Sequence, residues 1–257
     1  MKIGVIGLGL IGGSIFKALK DIHDVVGISV SQKGIEPNIT DDMNILKDCD
    51  IVFVATHMNK TISVLDKLND ILDEDNVVAD VCSLKEFVCQ KEYKFNFIPT
   101  HPMAGTEKTG FENSFKDLFV GAKWVVCKKQ CPENLKKVIE QMGAKIIYAS
   151  PKEHDEAVAL ISHMPMVLSQ ALFKSVESNS LALKLASSGF RDMTRLALSS
   201  DEMADDMVNM NYQNIQDAIL KLYASVGDLI KNDYRHEICD IREKRSNMYH
   251  DGKNILE

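Results

Sequence analysis

The sequence predicts an α/β domain built on a doubly wound parallel sheet, followed by an all-α domain. Three observations predict it. Short apolar runs alternate with amphipathic stretches from residue 1 to about 150, the rhythm of βαβ units. Each of the first five apolar runs leads into a residue suited to holding a ligand or doing chemistry. At Ser150 the pattern changes to long helical periods that continue to the end of the 257 residues.

The first run, Lys2-Ile3-Gly4-Val5-Ile6, enters Gly7-Leu8-Gly9-Leu10-Ile11-Gly12. The second, Val25-Val26-Gly27-Ile28, leads to Ser29. The third, Ile51 to Ala55, leads to Thr56-His57, and the fourth, Val77 to Asp80, leads through Cys82 to Ser83. The fifth, Phe95 to Ile98, leads to His101-Pro102. Helices are expected over 10–20, 59–72 and 132–142, with last strands at Trp124–Cys127 and Lys145–Tyr148. Ser150-Pro151-Lys152-Glu153 reads as a capping box with proline at the first helical position. Ser199-Ser200-Asp201-Glu202 reads as a second box. It opens a helix with apolar positions Met207, Met210, Ile215, Ile219, Leu222, Val226 and Leu229, a face suited to core or to a homodimer. The division expected is 1–149 and 150–257.

A net charge of -7 with mixed signs leaves no basic stripe for nucleic acid. The longest apolar runs are too short to cross a bilayer, and a strand at Met1 to Val5 argues against a secretory signal. The six cysteines are scattered. Cys127 and Cys131 lack a second pair to complete a zinc set, so no metal is expected, and reduced thiols point to the cytoplasm.

Gly7, Gly9 and Gly12 form a GxGxxG turn between a strand and a helix, the context that makes this motif specific for a dinucleotide. Gly7 permits the tight turn, Gly9 lets a pyrophosphate approach, and Gly12 lets helix and strand pack. Backbone groups from Gly7 to Gly12, through Leu8, Leu10 and Ile11, then offer N–H donors at a helix N-terminus. The first domain is therefore Rossmann-type. The acidic residue expected about 20 positions on is absent. Ser29, Ser31 and Lys33 stand there instead, which favours NADP over NAD; an ordinary solvated turn accepting both is the alternative. Thr56 and His57 would line the same cleft.

Ligands bind beyond the carboxyl ends of such strands. His101 precedes a proline, which favours extended geometry, so it should continue its strand into the crevice. Ser83 ends the preceding strand. Imidazole and hydroxyl beside a nicotinamide suit deprotonation of an alcohol during hydride transfer. On the helix opened by Ser150-Pro151, a straight path puts Ser162 about 80° and His163 about 180° from His154. The three then cannot face one ligand unless Pro165 reorients the chain. Arg191 and Arg195, four apart, would share one helical face. They either grip a carboxylate or pair on the surface with Asp192 and Glu202.

Together the glycine turn (residues 7–14), Asp80-Val81-Cys82-Ser83-Leu84-Lys85, His101-Pro102-Met103-Ala104-Gly105-Thr106-Glu107, Ile161-Ser162-His163-Met164-Pro165 and Ser188-Gly189-Phe190-Arg191-Asp192-Met193-Thr194-Arg195 resemble the prephenate/arogenate (cyclohexadienyl) dehydrogenases. The resemblance spans nearly the whole chain. It implies NAD(P)-dependent oxidative decarboxylation in tyrosine biosynthesis, with a helical domain that forms a homodimer. It also implies roles: His101 takes the proton of the ring 4-hydroxyl as hydride leaves C4, and Ser83 orients His101 and that hydroxyl. Arg195 grips the ring carboxylate. Arg191, Thr106 and Ser162 surround the substrate, and Glu107 gates the pocket or pairs with Arg195. Met166 stands where many prephenate-specific relatives carry a polar residue, and Ser29 resembles the NADP-using, arogenate-accepting branch. With no regulatory segment in sight, tyrosine feedback would act at the active site. The competing readings are another Rossmann-plus-helical reductase, of the β-hydroxyacid dehydrogenase or pyrroline-carboxylate reductase type, and a non-catalytic nucleotide-sensing module. The His101 segment argues against the first, and the Ser83, His101 and Arg195 set against the second.

Overall fold

Apolar residues occupy successive positions in the central strands because both faces of the sheet are covered. In a computed structural model that describes residues 1–106, 108–231, 233–250 and 253–254, strand β4 (Ile51–Val54) shows this directly. Ile51 and Phe53 join one core with Ile3, Val5, Phe16 and Trp124, while Val52 and Val54 join a second with Val26, Val78, Leu65 and Leu68.

Besides β4, the strands are β1 (Lys2–Ile6), β2 (Asp24–Ile28), β3 (Ile39–Thr40), β5 (Val77–Asp80), β6 (Asn96–Pro102), β7 (Lys123–Val126) and β8 (Lys145–Tyr148). Their spatial order is β3-β2-β1-β4-β5-β6-β7-β8. Chain order reverses between β1 and β4, which opens a crevice at their carboxyl ends. Helices α1 (Leu10–Leu19), α2 (Met58–Leu68) and α3 (Glu133–Gln141) cover the faces, close to the expected spans. β3 has two residues, too short to show a period.

One pairing departs from the parallel expectation and reverses the last two strands, since β8 runs parallel to β7. β7 runs antiparallel to β6, with His101 opposite Val125. The chain leaves β6 at the carboxyl edge and passes along α1, where Lys17 Nζ in its last turn donates to the carbonyls of Phe111 and Ser114 (3.1 and 2.8 Å). It re-enters at the same edge, where Met103 N donates to Lys123 O at 2.8 Å. A strand that starts where its neighbour ended must run the other way.

The helical domain opens with α4 (Pro151–Val158) on the expected capping box: Ser150 Oγ accepts from Glu153 N (3.2 Å) and Glu153 Oε2 accepts from Ser150 N (2.9 Å). A π-helical turn over Ala159–His163 joins it to α5 (Met164–Val176). Then come α6 (Ser180–Leu185), α7 (Ser188–Met193), α8 (Asp201–Met210), α9 (Tyr212–Lys231) and α10 (Tyr234–Met248). A short antiparallel pair, Tyr249–His250 with Lys253–Asn254, follows.

Three expectations change here. The second capping box does not form. Ser200 is the N-cap without a side-chain bond, Ser199 Oγ turns back to Leu196 O (2.7 Å), and Glu202 faces the first domain. The helix expected from Asp201 through Leu229 is two helices, because buried Asn211 breaks it and spends its amide on Asp155 O and His163. Finally, Pro151–Val176 forms one continuous 26-residue helix, long and apolar enough by composition to cross a bilayer. Its buried His154, Asp155 and His163 are instead hydrogen-bonded to the rest of the fold. A third apolar cluster joins the domains: Met58, Cys82 and Leu84 pack with Val158, Met166 and Met207.

Candidate active site

The glycine turn separates structural glycines from one that faces open space. Gly7 has φ +85°, and a Cβ there would lie 2.5 Å from Ala55 O. A Cβ on Gly12 would lie 1.9 Å from Gly7 O, so only glycine lets α1 pass so close to β1. A Cβ on Gly9, the α1 N-cap, would meet nothing within 4 Å. No side chain caps this helix and no acidic residue occupies its first turn. Leu8 and Ile11 pack into the core, so their backbone N–H groups rather than their side chains are available to a phosphate. Such an uncapped N-terminus beside an open glycine fits a pyrophosphate. Gly9→Ala is expected to leave the melting temperature of the free protein unchanged while weakening dinucleotide affinity by roughly tenfold or more, about 1.4 kcal/mol. Isothermal titration of the variant checks this.

Beyond β2, Ser29 Oγ lies 3.4 Å from Ser31 Oγ and accepts from Gln32 N at 3.3 Å. Lys33 Nζ lies 2.7 Å from Asp41 Oδ1, and that lysine holds the Asp41 carboxyl below its usual range. The positive charge expected to attract a 2′-phosphate thus already has a counterion. At the end of β4, Thr56 Oγ1 is 3.1 Å from Thr61 Oγ1. Exposed His57 precedes α2, with Nδ1 3.7 Å from Glu202 Oε2 of the helical domain.

His101 sits on the last turn-ward residues of β6, as expected, and a buried clamp holds its strand. Asp80, the last residue of β5, accepts from Thr100 N (Oδ1, 3.1 Å) and Cys82 N (Oδ2, 3.0 Å). Thr100 Oγ1 donates to Asp80 O at 2.5 Å. Lys85 Nζ pairs with the Asp80 carboxylate and donates to Thr100 O at 2.6 Å, and both charged side chains have no solvent exposure. The turn that carries Ser83 and the strand that carries His101 are therefore tied to one ion pair. Ser83 is half-buried and, among the described residues, makes no side-chain hydrogen bond. The partner of His101 is not Ser83 but His154: the two rings meet Nδ1 to Nε2 at 2.9 Å. Burial, then the neighbouring charges of His154, Lys85 and His163, push His101 well below the usual imidazole range. It is therefore neutral at pH 7 and able to accept a proton.

The π turn explains why the helical-wheel argument for a straight path does not hold. Met164 N donates to Ala159 O, five residues back, immediately before Pro165, which has no N–H to give. A π turn absorbs one extra residue, so His163 moves from about 180° to about 80° from His154. His154 and His163 are both buried, while Ser162 is exposed. His163 Nδ1 is 3.1 Å from Asn211 Nδ2. Burial, eased by Asp155 and reinforced by His154, pushes His163 down to about 4. An unfolded histidine, near 6.5, binds protons that the folded His163 refuses, so stability falls as pH drops from about 6.5 through about 4. His163→Gln is expected to flatten the pH dependence of the melting temperature over that window.

Arg191 and Arg195 do not share a helical face. α7 ends at Met193, Thr194 leaves the helix (φ -102°, ψ 7°), and Arg195 begins a 3₁₀ turn. Arg191 Nε pairs with Asp192 Oδ1 at 3.0 Å. Exposed Arg195 has no ion pair among the described residues; Glu202, its other suggested surface partner, faces Asn59 and His57. Thr106 is exposed and accepts from Lys108 N at 3.2 Å. Glu107 lies outside the described residues. Sequence reasoning missed Asp155, Asn211 and the partnership of Lys85 with Asp80. The spacing Asp80-x4-Lys85 on a buried strand end was the available signal for the last.

Fold and site together define a two-domain protein of the Rossmann-plus-helical class, with a dinucleotide turn and an imidazole at one sheet edge. Residues 18–148 match the family described as "Prephenate dehydrogenase, nucleotide-binding domain" and residues 150–238 match "Prephenate dehydrogenase, dimerization domain". The chain belongs to the prephenate dehydrogenase family. It is 32% identical to a prephenate dehydrogenase of Bacillus subtilis over 82% of this chain and 64% of that protein. Among solved structures it is similar to Synechocystis arogenate dehydrogenase (30% identity, TM-score 0.78, covering 96% of this chain and 97% of that one). It is also similar to prephenate dehydrogenase from Aquifex aeolicus in complex with hydroxyphenyl propionate and NAD+ (27% identity, TM-score 0.84, 97% and 98% covered). The chain spans less than two thirds of the length of the curated relatives that it matches at 30% identity or more, 64% and 61%.

Proposed function

We propose that this chain carries out the NAD(P)-dependent oxidative decarboxylation of a cyclohexadienol, prephenate or arogenate, to 4-hydroxyphenylpyruvate or tyrosine. The observation that carries the reading is a neutral imidazole at the carboxyl edge of the sheet, with Nδ1 engaged by His154 and Nε2 left for a substrate hydroxyl. When bound, the nicotinamide supplies the hydride acceptor. The open face at Gly9 receives the pyrophosphate, and the N–H groups at the start of α1 hold it. His101 takes the hydroxyl proton, and Ser83, whose side chain makes no hydrogen bond among the described residues, orients that hydroxyl. Arg195 binds the ring carboxylate. Arg191, Thr106, Glu107 and Ser162 complete the substrate pocket.

The absence of a carboxylate at the end of β2 supports NADP, while Asp41 beside Lys33 opposes a strong preference. We therefore expect both cofactors to be accepted, NADP modestly better. Exposed apolar residues on α9 and α10, among them Leu220, Tyr223, Ile230 and Ile241, support a homodimer through the helical domain. Six free cysteines support a reducing, cytoplasmic setting.

Mixing the protein with prephenate or arogenate and either NAD or NADP, while following absorbance of the reduced nicotinamide, tests this. Reduction is expected in at least one of the four mixtures, and its absence from all four would overturn the proposal.

A further inference from the structure

We propose that His154 and Asp155 are positioning residues that set the tautomer of His101 and hold its charge while it carries a proton. The inference rests on His101 being the base.

The hydrogen-bond directions follow from one end of the chain to the other. Asp155 Oδ1 accepts from Lys85 N (2.8 Å) and Oδ2 accepts from Glu86 N (2.9 Å); backbone N–H groups can only donate. The carboxylate is an acceptor to both, so the 2.7 Å bond between Asp155 Oδ1 and His154 Nδ1 carries its proton on the histidine. With its proton committed to Asp155, His154 accepts through Nε2 from His101 Nδ1 at 2.9 Å, so the proton in that bond sits on His101 Nδ1. His101 is left with its lone pair on Nε2, the form a general base needs. Free imidazole side chains have no such fixed choice, because either ring nitrogen can carry the proton.

The same bonds dispose of the charge. When the substrate O–H proton passes to His101 Nε2, His101 becomes an imidazolium, and its Nδ1–H bond to His154 becomes charge-assisted and stronger. That Nδ1 proton can move on to His154 Nε2, which leaves the positive charge on His154 against the Asp155 carboxylate. One proton enters and one positive charge results, with no further reactant. The other charged or titratable groups around the pair are already engaged: Lys85 with Asp80, and His163 with Asn211.

His154 and Asp155 lie on α4, whereas His101, Lys85 and Glu86 belong to the first domain. Asp155 is buried, and Asn211 Nδ2 also fixes its carbonyl at 3.0 Å. Docking of the helical domain on the loop after β5 therefore poises the base.

The test combines a spectrum with a pair of variants. Nitrogen-15 NMR of the histidine-labelled full chain at pH 7.5 is expected to show His101 protonated on Nδ1 and bare on Nε2, with its signals assigned through His101→Asn. In His154→Leu the His101 signals should move toward a tautomer mixture and kcat should fall roughly 10²-fold, within the range for general-base catalysis. KM and dinucleotide affinity should stay within about twofold, since neither residue is assigned to those sites. His154→Gln, whose amide oxygen can accept from His101 Nδ1 and whose amide nitrogen can donate to Asp155, should restore the His101 tautomer. It should also recover about tenfold of the lost kcat. A wild-type His101 protonated on Nε2, or Leu and Gln variants with equal kcat, would overturn the dyad. The tautomer is read without turnover, so a protein inactive on both substrates would sink the proposed reaction and leave this result legible.

Discussion

Replacement of His101 by asparagine is expected to lower kcat by roughly 10²–10⁴, the range that a positioned general base contributes. Dinucleotide binding should survive, because the Gly7–Gly12 turn and α1 lie on the other side of β4 and β5 in the sheet. Asparagine fills much of the same space. Its amide can still donate to His154 Nε2 from the site of the lost Nδ1, so the loss should be chemical rather than conformational. Steady-state kinetics at saturating cofactor, with calorimetric titration of NAD and NADP, checks it. Turnover equal to wild type would remove His101 from the mechanism. For the wild type, the depressed imidazole places the acid limb of kcat/KM below pH 6.5, because protonated His101 cannot accept a further proton.

Lys85→Met is expected to be the most destabilising single change outside the apolar core, at about 3–5 kcal/mol, the range for breaking a buried ion pair by removing one partner. For a chain of this size that corresponds to a fall in melting temperature of roughly 10 °C. The cause is the carboxylate left behind. Asp80 has no solvent exposure and would be left with two backbone N–H groups and no cation. Methionine keeps the length and apolar stem of the lysine, so the loss reports the charge rather than a cavity. Because the pair ties Thr100 to β5, kcat should fall along with stability. Differential scanning calorimetry beside kinetics measures both. A melting temperature within about 2 °C of wild type would show that the pair contributes little to stability.

How far the sequence was legible depends on the range of the interaction. The five strands that end in Gly7, Ser29, Thr56, Ser83 and His101 were readable because burial on both sheet faces leaves continuous apolar runs. The Ser150 capping box was readable because its four residues bond only with one another. The second box failed because Glu202, alike in sequence, lies within reach of Asn59 and His57. The shared face of Arg191 and Arg195 failed because α7 stops at Met193, a two-residue difference that periodicity does not resolve. Lys33 looked free for a phosphate because Asp41 meets it only when β3 pairs with β2.

By itself the sequence determined the α/β-then-α order, the dinucleotide turn, the strand that bears His101 and the resemblance to a dehydrogenase family. All of these rest on local spacing, which bond geometry converts directly into strands, helices and turns. Tertiary structure alone decided which nitrogen of His101 is engaged. Its partner His154 lies 53 residues away on another domain, and a π turn changes the direction in which His163 leaves the helix toward Asn211. Such pairings depend on docking and on rotation about a helix axis, where a single residue shifts every side chain by about 100°.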